Sequence, residues 1–110
     1  MDLDKETENQ IHELQNIEKN LQNTMMQKQT FQLESTEVEN ALEELKKSGE
    51  EIYKISGNIM IKASKVEIIS DLKQKKDLVE LRLKALDSQE KEILKNSEAL
   101  KKKILAKVKK

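Results

Sequence analysis

Residues 51–63 decide the fold of this chain and read Glu51-Ile52-Tyr53-Lys54-Ile55-Ser56-Gly57-Asn58-Ile59-Met60-Ile61-Lys62-Ala63. Two short runs with strong β propensity flank Ser-Gly-Asn, a combination that suits the positive φ of a tight turn. Side chains alternate between the two faces of a strand, so Tyr53 and Ile55 lie opposite Ile52, and Met60 lies opposite its neighbours. The stretch therefore predicts a β-hairpin that is apolar on both faces.

Such a hairpin is marginal in water on its own, and its open edges tend to pair with other strands. Both flanking segments are predicted to be helical, so nothing else in the chain covers it. We therefore expect hairpins from several subunits to join in a shared β-sheet or β-barrel. The residues expected to form this contact are Ile52, Tyr53, Ile55, Gly57, Ile59, Met60 and Ile61.

The segments on either side of the hairpin show the spacing of coiled-coil helices. The chain has no Pro, and its two Gly residues both lie between residues 48 and 63. Steps of three and four residues reach mainly apolar positions, which is typical of an a/d seam. The first series is Leu14, Ile17, Leu21, Thr24, Lys28, Phe31, Ser35, Val38, Leu42 and Leu45. The second series is Ile69, Leu72, Lys76, Val79, Leu83, Leu86, Glu90, Ile93, Ser97, Leu100 and Ile104.

The predicted fold is mainly α: a long antiparallel two-helix coiled coil, joined by a β-hairpin that forms an intersubunit β-barrel. One domain is expected over residues 1–110, with helix 1 over 1–48, the hairpin over 49–63 and helix 2 over 64–110. Ser64 and Glu67 match a capping box at the start of helix 2. If Leu45 meets Ile69, Thr24 falls near Glu90.

Charge supports the pairing of the two segments. Residues 1–48 carry eleven acidic and five basic side chains, whereas residues 64–110 carry eight acidic and fourteen basic ones. The net charges are therefore −6 and +6, which favours pairing within the chain over pairing between like segments.

Composition also narrows the class of protein. Charged residues make up 38% of the chain, Cys is absent, and the aromatic residues are Phe31 and Tyr53 alone. The chain has no catalytic constellation, no disulfide framework or metal-ligand spacing, no apolar run long enough for a membrane span, and no secretory signal at its acidic start. We therefore expect a cytoplasmic protein that is not an enzyme and uses no cofactor or metal.

A resemblance to the beta-type subunit of prefoldin, an archaeal and eukaryotic co-chaperone, rests on four stretches of the chain. They are Gln27-Lys28-Gln29, Ala41-Leu42-Glu43-Glu44-Leu45, the hairpin Ile52–Lys62, and Leu81-Arg82-Leu83-Lys84-Ala85-Leu86-Asp87-Ser88-Gln89-Glu90. The Tyr53-Lys54 pair with Gly57 is the distinctive part. Ser56 departs from the family pattern, which favours a branched apolar residue before the turn.

The resemblance implies a hexamer of two alpha-type and four beta-type subunits. It also implies an ATP-independent holdase that grips unfolded proteins at the coiled-coil tips and delivers them to a group II chaperonin. Ile11, Leu105 and Val108 lie off the strict seam and widen the apolar surface near the chain ends. The expected client-binding residues are Leu3, Ile11, Leu14, Ile17, Leu100, Ile104, Leu105 and Val108.

Two other functions stay open at this point. The chain could be a structural coiled-coil spacer or tether with no client-holding activity. It could also be a nucleic-acid-binding arm, since six of its last ten residues are Lys. Because no aromatic residue accompanies these lysines for base stacking, we expect a solvated helix end without nucleic acid as a partner.

Overall fold

The computed structural model describes residues 4–108. It contains the helix α1 (Lys5–Lys47), the strands β1 (Ile52–Ser56) and β2 (Ile59–Ala63), and the helix α2 (Lys65–Val108). The fold is therefore mainly helical, with an antiparallel hairpin between two long helices, as the sequence predicts. Among the described residues, neither helix contains a stretch both long and apolar enough to cross a bilayer.

The residues divide into two compact units. We call Thr30–Leu83 the hairpin unit, and Met1–Gln29 with Lys84–Lys110 the terminal unit. In the hairpin unit, Arg82 lies 5.6 Å from the ring centroid of Phe31, and Lys65 Nζ donates to the carbonyl of Ser48 at 2.9 Å. Since the partners on α2 descend as those on α1 ascend, the helices pair antiparallel there.

The two helices also pair antiparallel in the terminal unit. Lys107 Nζ lies 3.0 Å from Glu6, and Gln89 Nε2 donates to Thr24 Oγ1 at 3.2 Å. Thr24 therefore lies opposite Gln89, one residue from the Glu90 that the predicted register placed near it.

The predicted seam is confirmed on both helices. Every position of the two series is buried or half-buried, and Val38 and Val79 are the most enclosed of its apolar members in the hairpin unit. Ion pairs join the helices along this seam, at Glu34–Lys75 (3.3 Å) and at the seam residue Lys76 with Glu39 (3.7 Å). These pairs join acidic groups of α1 to basic groups of α2, the arrangement that the opposite net charges predict.

Different side chains determine where each helix begins or ends. Asp4 caps α1, because the backbone N–H of Thr7 donates to its carboxylate at 2.7 Å. Ser64 caps α2, since the N–H of Glu67 donates to its hydroxyl at 3.4 Å. Capping side chains satisfy backbone donors that have no partner in the first turn of a helix. Ser48 ends α1 with hydroxyl bonds to the carbonyls of Leu45 and Gly49.

The hairpin turn is tighter than the sequence indicated. Ser56 pairs with Ile59 in the antiparallel register, so Ser56 belongs to β1 and the turn is only Gly57 and Asn58. Gly57 has a φ of +62°, and no described residue other than glycine has a positive φ. A positive φ at the first turn position alone is the geometry of a type II′ turn, which uses Gly there.

We expect the substitution Gly57→Ala to lower the free energy of unfolding by about 1–2 kcal/mol, because an L residue is strained at this φ. Gly49→Ala is the matched control, since an added Cβ there meets no atom within 4 Å and the φ of Gly49 is not positive. Urea unfolding followed by circular dichroism measures both variants. Equal stability of the two variants would contradict the assigned turn.

Candidate functional site

The hairpin presents apolar side chains on both faces. Tyr53 and Ile55 of β1 share one face with Met60 of β2, because Tyr53 pairs with Lys62 and Ile55 with Met60. Ile59 and Ile61 lie on the other face. All five side chains are at least half exposed, and Ile55 is 72% exposed. In a monomeric soluble protein, clustered apolar exposure of this kind marks an interaction surface.

The backbone of the hairpin adds to this surface. Within residues 4–108 the sheet has two strands, so each strand pairs with its neighbour along one edge and has an open edge on its other side. An open edge presents unpaired N–H and C=O groups to any approaching strand. The hairpin can thus gain both hydrogen bonds and apolar contacts from a second chain.

Ile52 differs in exposure from the rest of the predicted oligomerisation set. It is only 9% exposed within the single chain, and its role in oligomerisation stays a prediction. Ile52 begins β1 and pairs with the half-buried Ala63, which directly precedes the cap of α2. The side chain is therefore covered by its own chain, and the exposed apolar set begins at Tyr53.

In the terminal unit the seam contains a charged cluster. Lys28 Nζ lies 2.7 Å from Asp87 and 3.2 Å from Glu90, and the Lys28 side chain is 19% exposed. Hydrogen bonds to Asp87 and then Glu90 hold the pKa of Lys28 above its ordinary value. The ammonium is thus favoured in the folded state at every pH below that ordinary value, and its stabilisation is lost only as the pH rises through the raised pKa.

The predicted client-binding residues differ in exposure. Leu105 is 54% exposed, whereas Ile11, Leu14, Ile17, Ile104 and Val108 are half-buried. Leu100, a seam residue, is only 8% exposed, and its contact with client proteins stays a prediction. Ile11 and Val108, which lie off the strict seam, are half-buried like the seam residues Leu14 and Ile104. Leu3 lies outside the described residues.

Sequence reasoning missed other exposed apolar side chains. Leu33 and Leu81 are each more than 60% exposed, on the surfaces of α1 and α2 that point away from the seam. The signal was present, since both leucines fall between the seam positions of their helices. Among residues 4–108, no cluster of His, Asp or Glu is arranged to hold a metal ion.

Comparison with known proteins identifies the family of this chain. A family model described as prefoldin subunit matches residues 8–110. The chain belongs to the prefoldin subunit family. Prefoldin is a family of chaperone subunits, so this chain is a chaperone subunit.

Individual relatives agree with this assignment. The prefoldin subunit beta of Thermococcus onnurineus is 40% identical over 85 residues, which cover 76% of this chain and 73% of that protein. The prefoldin subunit beta of Archaeoglobus fulgidus is 34% identical over 94 residues, covering 84% of this chain and 81% of that protein. The crystal structure of the prefoldin beta subunit from Thermococcus strain KS-1 has a TM-score of 0.86 at 30% identity, and the match covers 96% of this chain and 94% of that one.

The start of α1, which carries part of the predicted client surface, should respond to acid. Hydrogen bonds from the side chain and then the backbone N–H of Thr7 hold the pKa of Asp4 below its ordinary value of 3.8. A lowered pKa stabilises the fold above the ordinary value, and this stabilisation is lost as the pH falls through the lowered pKa.

We therefore expect the amide of Thr7 to lose hydrogen-exchange protection as the pH falls below 3.8. In the variant Asp4→Asn this acid response should disappear, because Asn caps as well as Asp and does not titrate. The amide of Glu67 is the internal control, since its cap is the hydroxyl of Ser64. An unchanged acid response in the Asn variant would show that Asp4 is not the responsible group.

Proposed function

We propose that this prefoldin chain acts as a beta-type subunit, which holds non-native proteins without ATP and passes them to a group II chaperonin. It works in a hexamer of two alpha-type and four beta-type subunits. The single observation that carries this proposal is the family match over residues 8–110, together with relatives that are prefoldin beta subunits. The cytoplasmic location predicted from the sequence stays a prediction.

The exposed hairpin supports the assembly part of the proposal. Five large apolar or aromatic side chains and two open strand edges lie on ten strand residues. Burial of apolar surface contributes roughly 25 cal/mol per Å², so joining several hairpins stabilises the assembly substantially. A barrel made from several hairpins also removes the open edges.

The apolar residues near the chain ends support the holding part. Leu105 is exposed on α2, and the half-buried Ile104 and Val108 lie one and three residues from it along the chain. Contact through such side chains is largely non-directional, so it suits clients of many sequences. Leu14, Ile17 and Leu100 would take part only where the two helices separate.

Assembly is tested by the variant Ile55→Lys, with Val66→Lys as the matched control. Both residues are exposed in the single chain, at 72% and 77%, but Val66 lies in the first turn of α2 and outside the strands. We expect the Ile55 variant to lose higher-order assembly, because a charge buried without a partner is strongly unfavourable. Light scattering after size-exclusion chromatography gives the mass, and equal masses for both variants would contradict assembly through the hairpin.

Client holding is tested by the variant Leu105→Ser. We expect the variant to suppress the aggregation of a chemically denatured protein several-fold less well than the unmodified chain, because an apolar anchor is lost. Leu81→Ser is the control, since Leu81 is even more exposed than Leu105, at 65% against 54%, but belongs to the hairpin unit. Light scattering of the diluted client reports aggregation. A chain that leaves aggregation unchanged in every form would be a spacer or tether, and the holding proposal would then be wrong.

A further inference from the structure

One stretch of α1 has an unusual composition. Of the 25 residues from 9 to 33, ten are Asn or Gln and only four are Asp, Glu, Lys or Arg, although 38% of the whole chain is charged. The ten are Asn9, Gln10, Gln15, Asn16, Asn20, Gln22, Asn23, Gln27, Gln29 and Gln32. Coiled-coil helices commonly carry Glu and Lys beside the seam. Here, neutral carboxamides largely replace those charges.

Several of these carboxamides lie together along one groove of the terminal unit. Asn20, Asn23 and Gln27 line its α1 wall, at the spacing of one helix face. Gln89 and Asn96 line its α2 wall. The groove has a volume of about 510 Å³ and is completed by Thr24, Glu92 and Ile93. We call these eight residues the carboxamide groove.

Thr24 lies between the two walls of the carboxamide groove. This residue is 2% exposed, and its hydroxyl donates to the carbonyl of Asn20 at 2.9 Å. The same hydroxyl accepts a hydrogen bond from Gln89 Nε2 at 3.2 Å. A buried threonine in the seam therefore fixes the position of one carboxamide between the two helices.

The other carboxamides of the groove have free hydrogen-bonding capacity. Across residues 4–108, the side chains of Asn20, Asn23, Gln27 and Asn96 make no hydrogen bond to another group of the protein. Each carboxamide can donate two hydrogen bonds and can accept through its oxygen. This is the complement of a peptide group, which presents one N–H and one C=O.

We propose that the carboxamide groove binds the main chain of an extended polypeptide segment. The proposal deepens the holding function and rests on it. Asn20 and Gln27 are seven residues apart, which is about 10.5 Å along a helix. A ligand segment in the polyproline II conformation completes one turn every three residues, or about 9.3 Å, so peptide groups on one side of it can meet the groove at this spacing. Recognition of peptide groups does not depend on the ligand's side chains, which suits the holding of many proteins.

The electrostatics of the groove select this ligand over a nucleic acid. Within the described residues, Glu92 is its one charged lining side chain, and a carboxylate repels phosphate. Hydrogen bonds between neutral groups each contribute only about 0.5–1.5 kcal/mol net, so binding through a few of them is weak and reversible. Reversible binding is what a protein that hands on its ligand requires.

The probe that tests the proposal is a dye-labelled Gly-Ser peptide of about 20 residues, which is unstructured and has no apolar anchor. The full chain, in the oligomer it forms, is titrated into the peptide, and fluorescence anisotropy measures binding. The groove variant is Asn20→Asp/Asn23→Asp/Gln27→Glu, which removes the amide donors with little change in shape. We expect its affinity for the peptide to fall at least about tenfold, because several hydrogen bonds are lost.

The matched control is Gln15→Glu/Gln22→Glu/Gln29→Glu. It adds the same charge to the same helix at three exposed positions outside the groove. We expect its affinity to stay within about twofold of the unmodified chain, as for other surface substitutions. The unmodified chain should also bind the peptide far better than a version methylated at every backbone nitrogen, whose main chain can donate no hydrogen bond.

Three results would overturn the proposal: no saturable binding of the peptide, equal loss of affinity in both variants, or equal binding of the methylated peptide. The methylation comparison uses the unmodified chain, so it stays decisive even if the groove variant folds poorly. Suppression of client aggregation is measured on the same preparations. Normal suppression without peptide binding refutes only the carboxamide groove, whereas loss of suppression by the unmodified chain refutes the holding function itself.

Discussion

A two-stranded hairpin leaves half of its hydrogen-bonding edges open, and in this chain it also exposes apolar side chains on both faces. Ile55, Ile59 and Met60 are each more than 60% exposed, while the helix ends on either side are capped by Ser48 and Ser64. A hairpin this exposed is only marginally stable on its own in water, and further strands along its open edges would stabilise it. The rest of the structure follows from this constraint, since the helices must pair with each other and leave the hairpin accessible.

Helix pairing within one chain is selected by charge as much as by the seam. A long apolar seam alone also permits like helices from two chains to pair. The acidic α1 and basic α2 disfavour that outcome, and the pairs Glu6–Lys107 and Glu34–Lys75 join opposite charges within each unit. Exposed pairs of this kind each contribute perhaps under 1 kcal/mol, so their effect lies in selecting the partner more than in stabilising it. Lys28, held between Asp87 and Glu90, reverses the usual direction and is the most enclosed of these cations.

Periodicity made most of the fold predictable. The seam positions, the hairpin and the cross-helix register follow from spacing, because each depends on which residues repeat at three and four or alternate at two. Spacing does not reveal how well a position is covered. Ile52 and Leu100 are among the residues predicted to contact other chains, and spacing did not indicate that their own chain buries both side chains. The turn was also shorter than expected, since Ser56 can end a strand as readily as it can begin a turn.

The polar part of the seam was the least predictable feature, because the sequence places Thr24 in an apolar seam without showing which groups its hydroxyl bonds. Its hydroxyl satisfies both Asn20 and Gln89, so the buried polar group is paired and carries little penalty. An apolar residue at this position would pack the seam more tightly but would leave Gln89 without this anchor. The neutral amides of α1 can then serve as hydrogen-bonding groups for a ligand, a role that composition alone did not suggest. Charges beside the seam would strengthen pairing and attract particular partners, whereas carboxamides offer hydrogen bonds to any polypeptide backbone and hold it weakly enough to release it.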